Sequence, residues 1–132
     1  EQFEARLSLV RIEKTQSIFL TGMRGALLPI VVSHGEGRAT MTSLAMDDLE
    51  RNEQIAMRFS DHYGGPAKSY PCNPNGSPGG LTAVTSEDGR VLAMMPHPER
   101  VYRSVQNSWA PSDWGEDAPW LRLFRNARKW FV

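Results

Sequence analysis

The sequence predicts an α/β fold, and three observations carry that prediction. Apolar and polar residues alternate over several short stretches, the period of half-buried strands. Near the C-terminus the spacing changes to three and four, which is that of an amphipathic helix. The 132 residues are also enough for one ordinary domain with a real core, without disulfides or a structural metal.

Taken in order, Phe3, Ala5, Leu7 and Leu9 alternate with Glu4, Arg6 and Ser8, so the chain opens on a strand with those apolar residues turned inward. A second short strand is expected over residues 17–20, ended by Thr21-Gly22. Residues 27–33 follow as a buried strand rich in β-branched side chains, with Pro29 near its start, where a missing N–H costs least. Thr42 or Ser43 caps a helix running to about Asn52, with Asp47 and Asp48 near its positive end. Residues 55–60 alternate again. The stretch from Gly64 to Gly80 is dense in Gly, Pro, Asn and Ser and reads as a long structured loop, a kind that is usually functional.

Residues 81–85 and 90–95 form two strands joined by Ser86-Glu87-Asp88-Gly89, with Gly89 taking the left-handed conformation that closes the hairpin. A short helix is expected after Pro96-His97-Pro98-Glu99-Arg100. In the last helix Trp120, Leu123, Phe124, Ala127 and Phe131 share one face, and Arg122, Arg125, Arg128 and Lys129 make a solvated one.

Composition excludes several classes. With 15 Lys+Arg against 15 Asp+Glu there is no basic excess for nucleic acid. A single cysteine offers neither an internal disulfide nor a zinc set. The longest apolar run, residues 26–32, is interrupted by Pro29 and falls far short of the ~20 residues of a membrane span. No basic-then-apolar leader opens the chain, and it begins with Glu1, not Met. The expectation is a cytoplasmic segment of something longer, with no nucleic-acid or membrane partner.

The chemistry is concentrated in two His-x-Glu pairs, His34-Gly35-Glu36 and His97-Pro98-Glu99. In extended chain, residues i and i+2 project to one side, so each pair sets an imidazole beside a carboxylate. That arrangement fixes a histidine tautomer and stabilises its charged form. The second pair is stiffened by two prolines and follows a mostly apolar strand. The bland alternative for each is a surface hydrogen bond. A metal reading using both His and both Glu is chemically allowed, but no spacing forces the four together. Cys72 lies in an irregular loop with no helix N-terminus behind it to lower its pKa, and reads as structural or incidental. Ser33 and His34, adjacent on a strand, face opposite ways and make no serine-hydrolase pair.

Three segments together resemble one family: Pro29-Ile30 through Ser33-His34-Gly35-Glu36-Gly37-Arg38, Tyr70-Pro71 with Asn73-Pro74-Asn75-Gly76-Ser77, and Met94-Met95-Pro96-His97-Pro98-Glu99-Arg100. It is the class I glutamine amidotransferase domain of phosphoribosylformylglycinamidine synthase. The closing stretches Asn107-Ser108-Trp109, Trp114-Gly115-Glu116-Asp117 and Asn126-Ala127-Arg128-Lys129 resemble the C-terminus of its large, single-chain form.

The resemblance implies a three-layer, flavodoxin-like amidotransferase fold and a Cys-His-Glu triad that hydrolyses glutamine. The ammonia would pass to an ATP- and magnesium-dependent synthetase domain that converts formylglycinamide ribonucleotide to its amidine. By motif, His97 is the general base and acid and Glu99 its orienting partner, while His34 and Gly35 match a segment beside the bound glutamine. The family nucleophile sits in a glycine-flanked Cys elbow that this sequence lacks. Residues 1–132 are therefore expected to be the C-terminal half of the amidotransferase domain. On that reading the chain is inactive alone, holds no cofactor or metal, and has the nucleophile-bearing half and the synthetase domain as partners. The alternatives are a stand-alone glutaminase subunit and a non-catalytic interaction domain of the same fold.

Overall fold

The computed structural model describes residues 2–132. Five strands form one sheet in the order β2-β1-β3-β4-β5: β1 Glu4–Ile12, β2 Leu27–His34, β3 Ile55–Phe59, β4 Leu81–Thr85 and β5 Leu92–Met94. Two α-helices accompany it, α1 Ser43–Arg51 and α2 Leu121–Trp130. The α/β class expected from the periodicities is therefore present. Every pairing between these strands is antiparallel.

An isolated bridge between Val31 and His97 joins the chain beyond β5 to the edge of β2 that β1 does not use. The sheet thus curls until its two ends meet. Its concave side holds Val10, Ile12, Ile30, Val32, Met57 and Phe59, each at most 1% exposed.

The inward face of β1 corrects the sequence reading. The buried residues are Ser8, Val10 and Ile12, while Phe3 and Leu7 are 66% and 43% exposed. Register explains this: Val10 sits opposite Leu28 and Ser8 opposite Ile30. The strand continues to Ile12, and its C-terminal half, in the opposite phase, decides which side faces the core.

Residues 17–20 are not a strand. Leu20 N–H donates to Ser17 O (3.2 Å), closing a single 3-10 turn over Ile18–Leu20, and Ile18 N–H reaches Gly89 O at 3.0 Å. That contact depends on Gly89, whose φ is 71° and where a Cβ would lie 2.1 Å from the Gln16 carbonyl oxygen. Gly89 also closes the hairpin as expected, its N–H donating to Ser86 O at 3.0 Å. The second hairpin strand is shorter than residues 90–95, because only Leu92–Met94 pair with β4.

Thr42 caps α1, its hydroxyl accepting from Ala45 N–H at 3.2 Å. Asp47 and Asp48 lie past the first turn, and Asp48 pairs with Arg51 at 3.1 Å instead of serving the helix dipole. No residue of α1 is buried. Its tether is Arg58 on β3, which donates to Glu50 (3.0 Å) and to Gly79 O (2.8 Å).

At the other end, Trp120 is 1% exposed and donates its indole N–H to Pro29 O at 2.7 Å, fastening the start of α2 to β2. Leu123 follows it into the core, and Phe124 meets Tyr102 edge to face. Phe131 is 87% exposed, because the helix ends at Trp130 before that position comes round. Arg125 pairs with Asp117 and Arg122 donates to Thr21 O, but these two, Arg128 and Lys129 are all exposed, so the basic face is solvated as expected. Among the described residues no helix is long and apolar enough to cross a membrane.

Candidate active site

After β5 the chain passes through Met95 and buried Pro96 to His97, whose N–H donates to Val31 O at 2.8 Å. The backbone then enters a 3-10 turn over Pro98–Arg100, with Pro98 buried. This turn swings Glu99 back so that its Oε1 lies 2.7 Å from His97 Nδ1. The expected contact is present, but a turn makes it, not the same-side projection of an extended chain. Arg100 Nε lies 3.9 Å from that same carboxylate oxygen. Both side chains are partly accessible, 29% for His97 and 54% for Glu99. Since Glu99 occupies Nδ1, the nitrogen left for proton transfer is Nε2.

The second His-x-Glu sequence makes no such pair. His34 ends β2, and the chain bends so that Gly37, not Glu36, lies against the imidazole. The contact is close: a Cβ on Gly37 would fall 2.1–2.6 Å from three ring atoms. Among the described residues His34 Nε2 is buried without a hydrogen-bond partner. His34 and Gly35 border an open cleft of about 750 Å³, shared with Glu4, Glu36, Arg38 and Asn75. His97 and Glu99 do not line it. The two histidines are nevertheless neighbours in the sheet, since His97 is bridged to Val31, three positions before His34 on β2.

Among the described residues no group of three or more His, Cys, Asp or Glu is gathered to hold a metal ion. Cys72 is free and half-buried, and its Sγ lies 3.9 Å from His62 Nε2, a neighbour that sequence spacing did not suggest. Sequence reasoning also missed what the Asn73-Pro74-Asn75-Gly76-Ser77 loop does, though it identified the loop as structured. Asn73, 2% exposed, donates to Ala67 O and Ser77 O, which makes the loop rigid. From that base Asn75 Nδ2 donates to Gly37 O at 2.9 Å, and Ser77 Oγ accepts from Ala39 N–H at 3.0 Å.

A solved structure titled "Structure of PurLQS from Thermotoga maritima" matches 99% of this chain with a TM-score of 0.67 at 21% sequence identity. At that identity the match shows a shared fold. The chain spans about half, 49%, of the length of that relative. The profile of the CobB/CobQ-like glutamine amidotransferase domain matches residues 1–131. The chain belongs to the CobB/CobQ-like glutamine amidotransferase domain family.

Proposed function

We propose that this chain supplies the histidine and glutamate of a Cys-His-Glu triad that hydrolyses glutamine. The observation that supports this most is the 2.7 Å contact between His97 Nδ1 and Glu99 Oε1, in a chain matched almost end to end by an amidotransferase family. The parent enzyme is then phosphoribosylformylglycinamidine synthase, for which the sequence motifs and the fold shared with the Thermotoga maritima structure are the support. Its synthetase part, with ATP and magnesium, uses the ammonia to convert formylglycinamide ribonucleotide to the amidine. No residue of this chain is assigned to ATP or magnesium.

The chemistry follows from the pair. His97 Nε2 takes the proton of a cysteine thiol supplied by the other half of the domain, and the thiolate attacks the glutamine amide carbon. As the C–N bond breaks, the imidazolium returns that proton to the leaving nitrogen, and ammonia departs. His97 then takes a proton from water, which attacks the thioester. The C–S bond breaks as the imidazolium gives that proton to the sulfur, so glutamate leaves and the thiol is restored. Glu99 holds the ring by Nδ1 and stabilises the imidazolium in both halves of the cycle. His34 and Gly35 border the glutamine.

Glutamate release from this chain, from a separately produced nucleophile half, and from the two mixed is the test. Activity only in the mixture supports the reading. Activity of this chain alone, or of the nucleophile half undiminished by its absence, refutes it.

A further inference from the structure

We propose that Asn75 and Ser77 are positioning residues for His34, acting through the backbone of the turn that follows it. The turn after β2 carries no regular hydrogen-bonded structure of its own, yet it brings Gly37 close against the imidazole. Two side chains of the neighbouring loop hold it there. Asn75 Nδ2 donates to the Gly37 carbonyl, and the Ser77 hydroxyl accepts from the Ala39 N–H. They grip the turn on both sides of Arg38.

The gripping loop is itself fixed. Asn73 and Ser77 are each 2% exposed, and Asn73 ties Ala67 to Ser77 across the loop. At its entrance Arg6 on β1 donates to the Tyr70 hydroxyl and stacks over its ring, 4.6 Å from the centroid. The loop is thus a rigid jig built on the sheet, and His34 is the part it locates.

Among the described residues His34 Nε2 is buried with no partner, and Asn75 Oδ1 is likewise unpartnered and buried. His34 and Asn75 both border the open cleft beside this turn, so a displaced ring alters the wall of that cleft. The kinetic consequence below rests on the reading of this chain as half of a glutaminase with His34 beside the glutamine. The placement of His34 does not rest on it.

The test uses Asn75→Asp, which keeps the shape of the side chain and removes its N–H donor, and Ser77→Ala, which removes the acceptor. Gly37→Ala serves as the reference for a displaced ring. Side-chain 1H–15N spectra resolve the imidazoles of His34, His62 and His97 in the chain mixed with its nucleophile half. In both test variants the His34 signals are expected to shift toward those of Gly37→Ala, while those of His97 stay in place. The KM for glutamine rises roughly ten- to a hundredfold, with kcat within about twofold of the parent. His34 signals unmoved in a folded Asn75→Asp protein overturn the proposal, whatever the activity. If Asn75→Asp does not fold, Ser77→Ala decides by the same signals. A wild-type mixture that hydrolyses no glutamine refutes the proposed function alone and leaves the spectra to decide this one.

Discussion

Val31 and His97 are joined backbone to backbone, the His97 N–H donating to the Val31 carbonyl at 2.8 Å. Val31 also lies opposite Leu7 in the β1–β2 ladder, so it is held from both sides. The histidine that follows β5 is thereby set at a fixed height on β2, three positions from His34. One strand carries the registration of both histidines. A substitution that shifts β2 therefore moves both, whereas a substitution in either turn moves one.

The His97–Glu99 contact gives the first prediction. In the mixture with the nucleophile half, His97→Ala removes the proposed proton carrier and is expected to abolish glutamate release. Glu99→Gln keeps a hydrogen-bonding group at Nδ1 but favours the wrong tautomer, and is expected to lower kcat by about 10²–10⁴. The KM for glutamine stays near the parent value, which separates this effect from that of Asn75→Asp. Steady-state kinetics on the three proteins checks it.

Trp120 gives a prediction about stability. It is 1% exposed, and its indole N–H satisfies Pro29 O, a carbonyl on the strand that registers both histidines. Trp120→Phe leaves that carbonyl without its donor and a small void beside Leu123. The expected loss is about 1–3 kcal/mol for the orphaned acceptor, with more from the void. A melting temperature lowered by several degrees is the expected reading, and an unchanged one removes Trp120 as the fastener of α2.

How far the sequence foretold this molecule depended on how local the deciding interaction was. The hairpin closing at Gly89, the Thr42 cap and the turn holding Glu99 beside His97 each depend on residues within a few positions of one another. The hairpin and the cap were legible as elements, and the His97–Glu99 contact as a pair, but the turn that makes that contact was not, because the reading took the pair as extended chain. The inward face of β1 was not legible, because both faces of that strand carry apolar residues and pairing with β2 chooses between them. The 3-10 turn at Ile18–Leu20 was missed because its partner, Gly89, lies far along the chain. The grip of Asn75 and Ser77 on the turn after β2 joins loops 38 residues apart, a separation over which no pattern of spacing carries information.

Asp88 gives a prediction in pH. Its carboxyl is held below the ordinary carboxylate range, first by the Ser86 hydroxyl, which donates to Oδ1 at 2.6 Å, and then by the Arg90 N–H at 3.1 Å. A lowered folded-state pKa means that the stabilisation is complete above the ordinary aspartate value and fades as pH falls through the lowered one. Ser86→Ala is expected to move the Asp88 midpoint up toward that ordinary value. Carboxyl 13C titration measures both, and an unmoved midpoint rules out Ser86 as the main cause.

The last prediction concerns Cys72. A thiol 3.9 Å from a histidine nitrogen invites the reading of a nucleophile and its base, within one chain. The surroundings argue otherwise. A catalytic imidazole needs a group that orients it; His97 has Glu99 at 2.7 Å, whereas His62 has no such hydrogen bond among the described residues. The nearest carboxylate in sequence, Asp61, is engaged by the N–H groups of Tyr63 and Gly65 through its Oδ1. Cys72 itself packs against the apolar core as a partly buried small residue. No helix N-terminus stands behind it to favour the thiolate. Cys72→Ser is therefore expected to leave glutamate release by the mixed halves within about twofold of the parent, against the roughly 10⁶-fold loss that removing a triad nucleophile brings. Alkylation should agree: a haloacetamide that inactivates the mixture is expected to act on the other half, with equal rates for parent and Cys72→Ser. Loss of activity in Cys72→Ser would move the nucleophile into this chain, and His62 would replace His97 as its base.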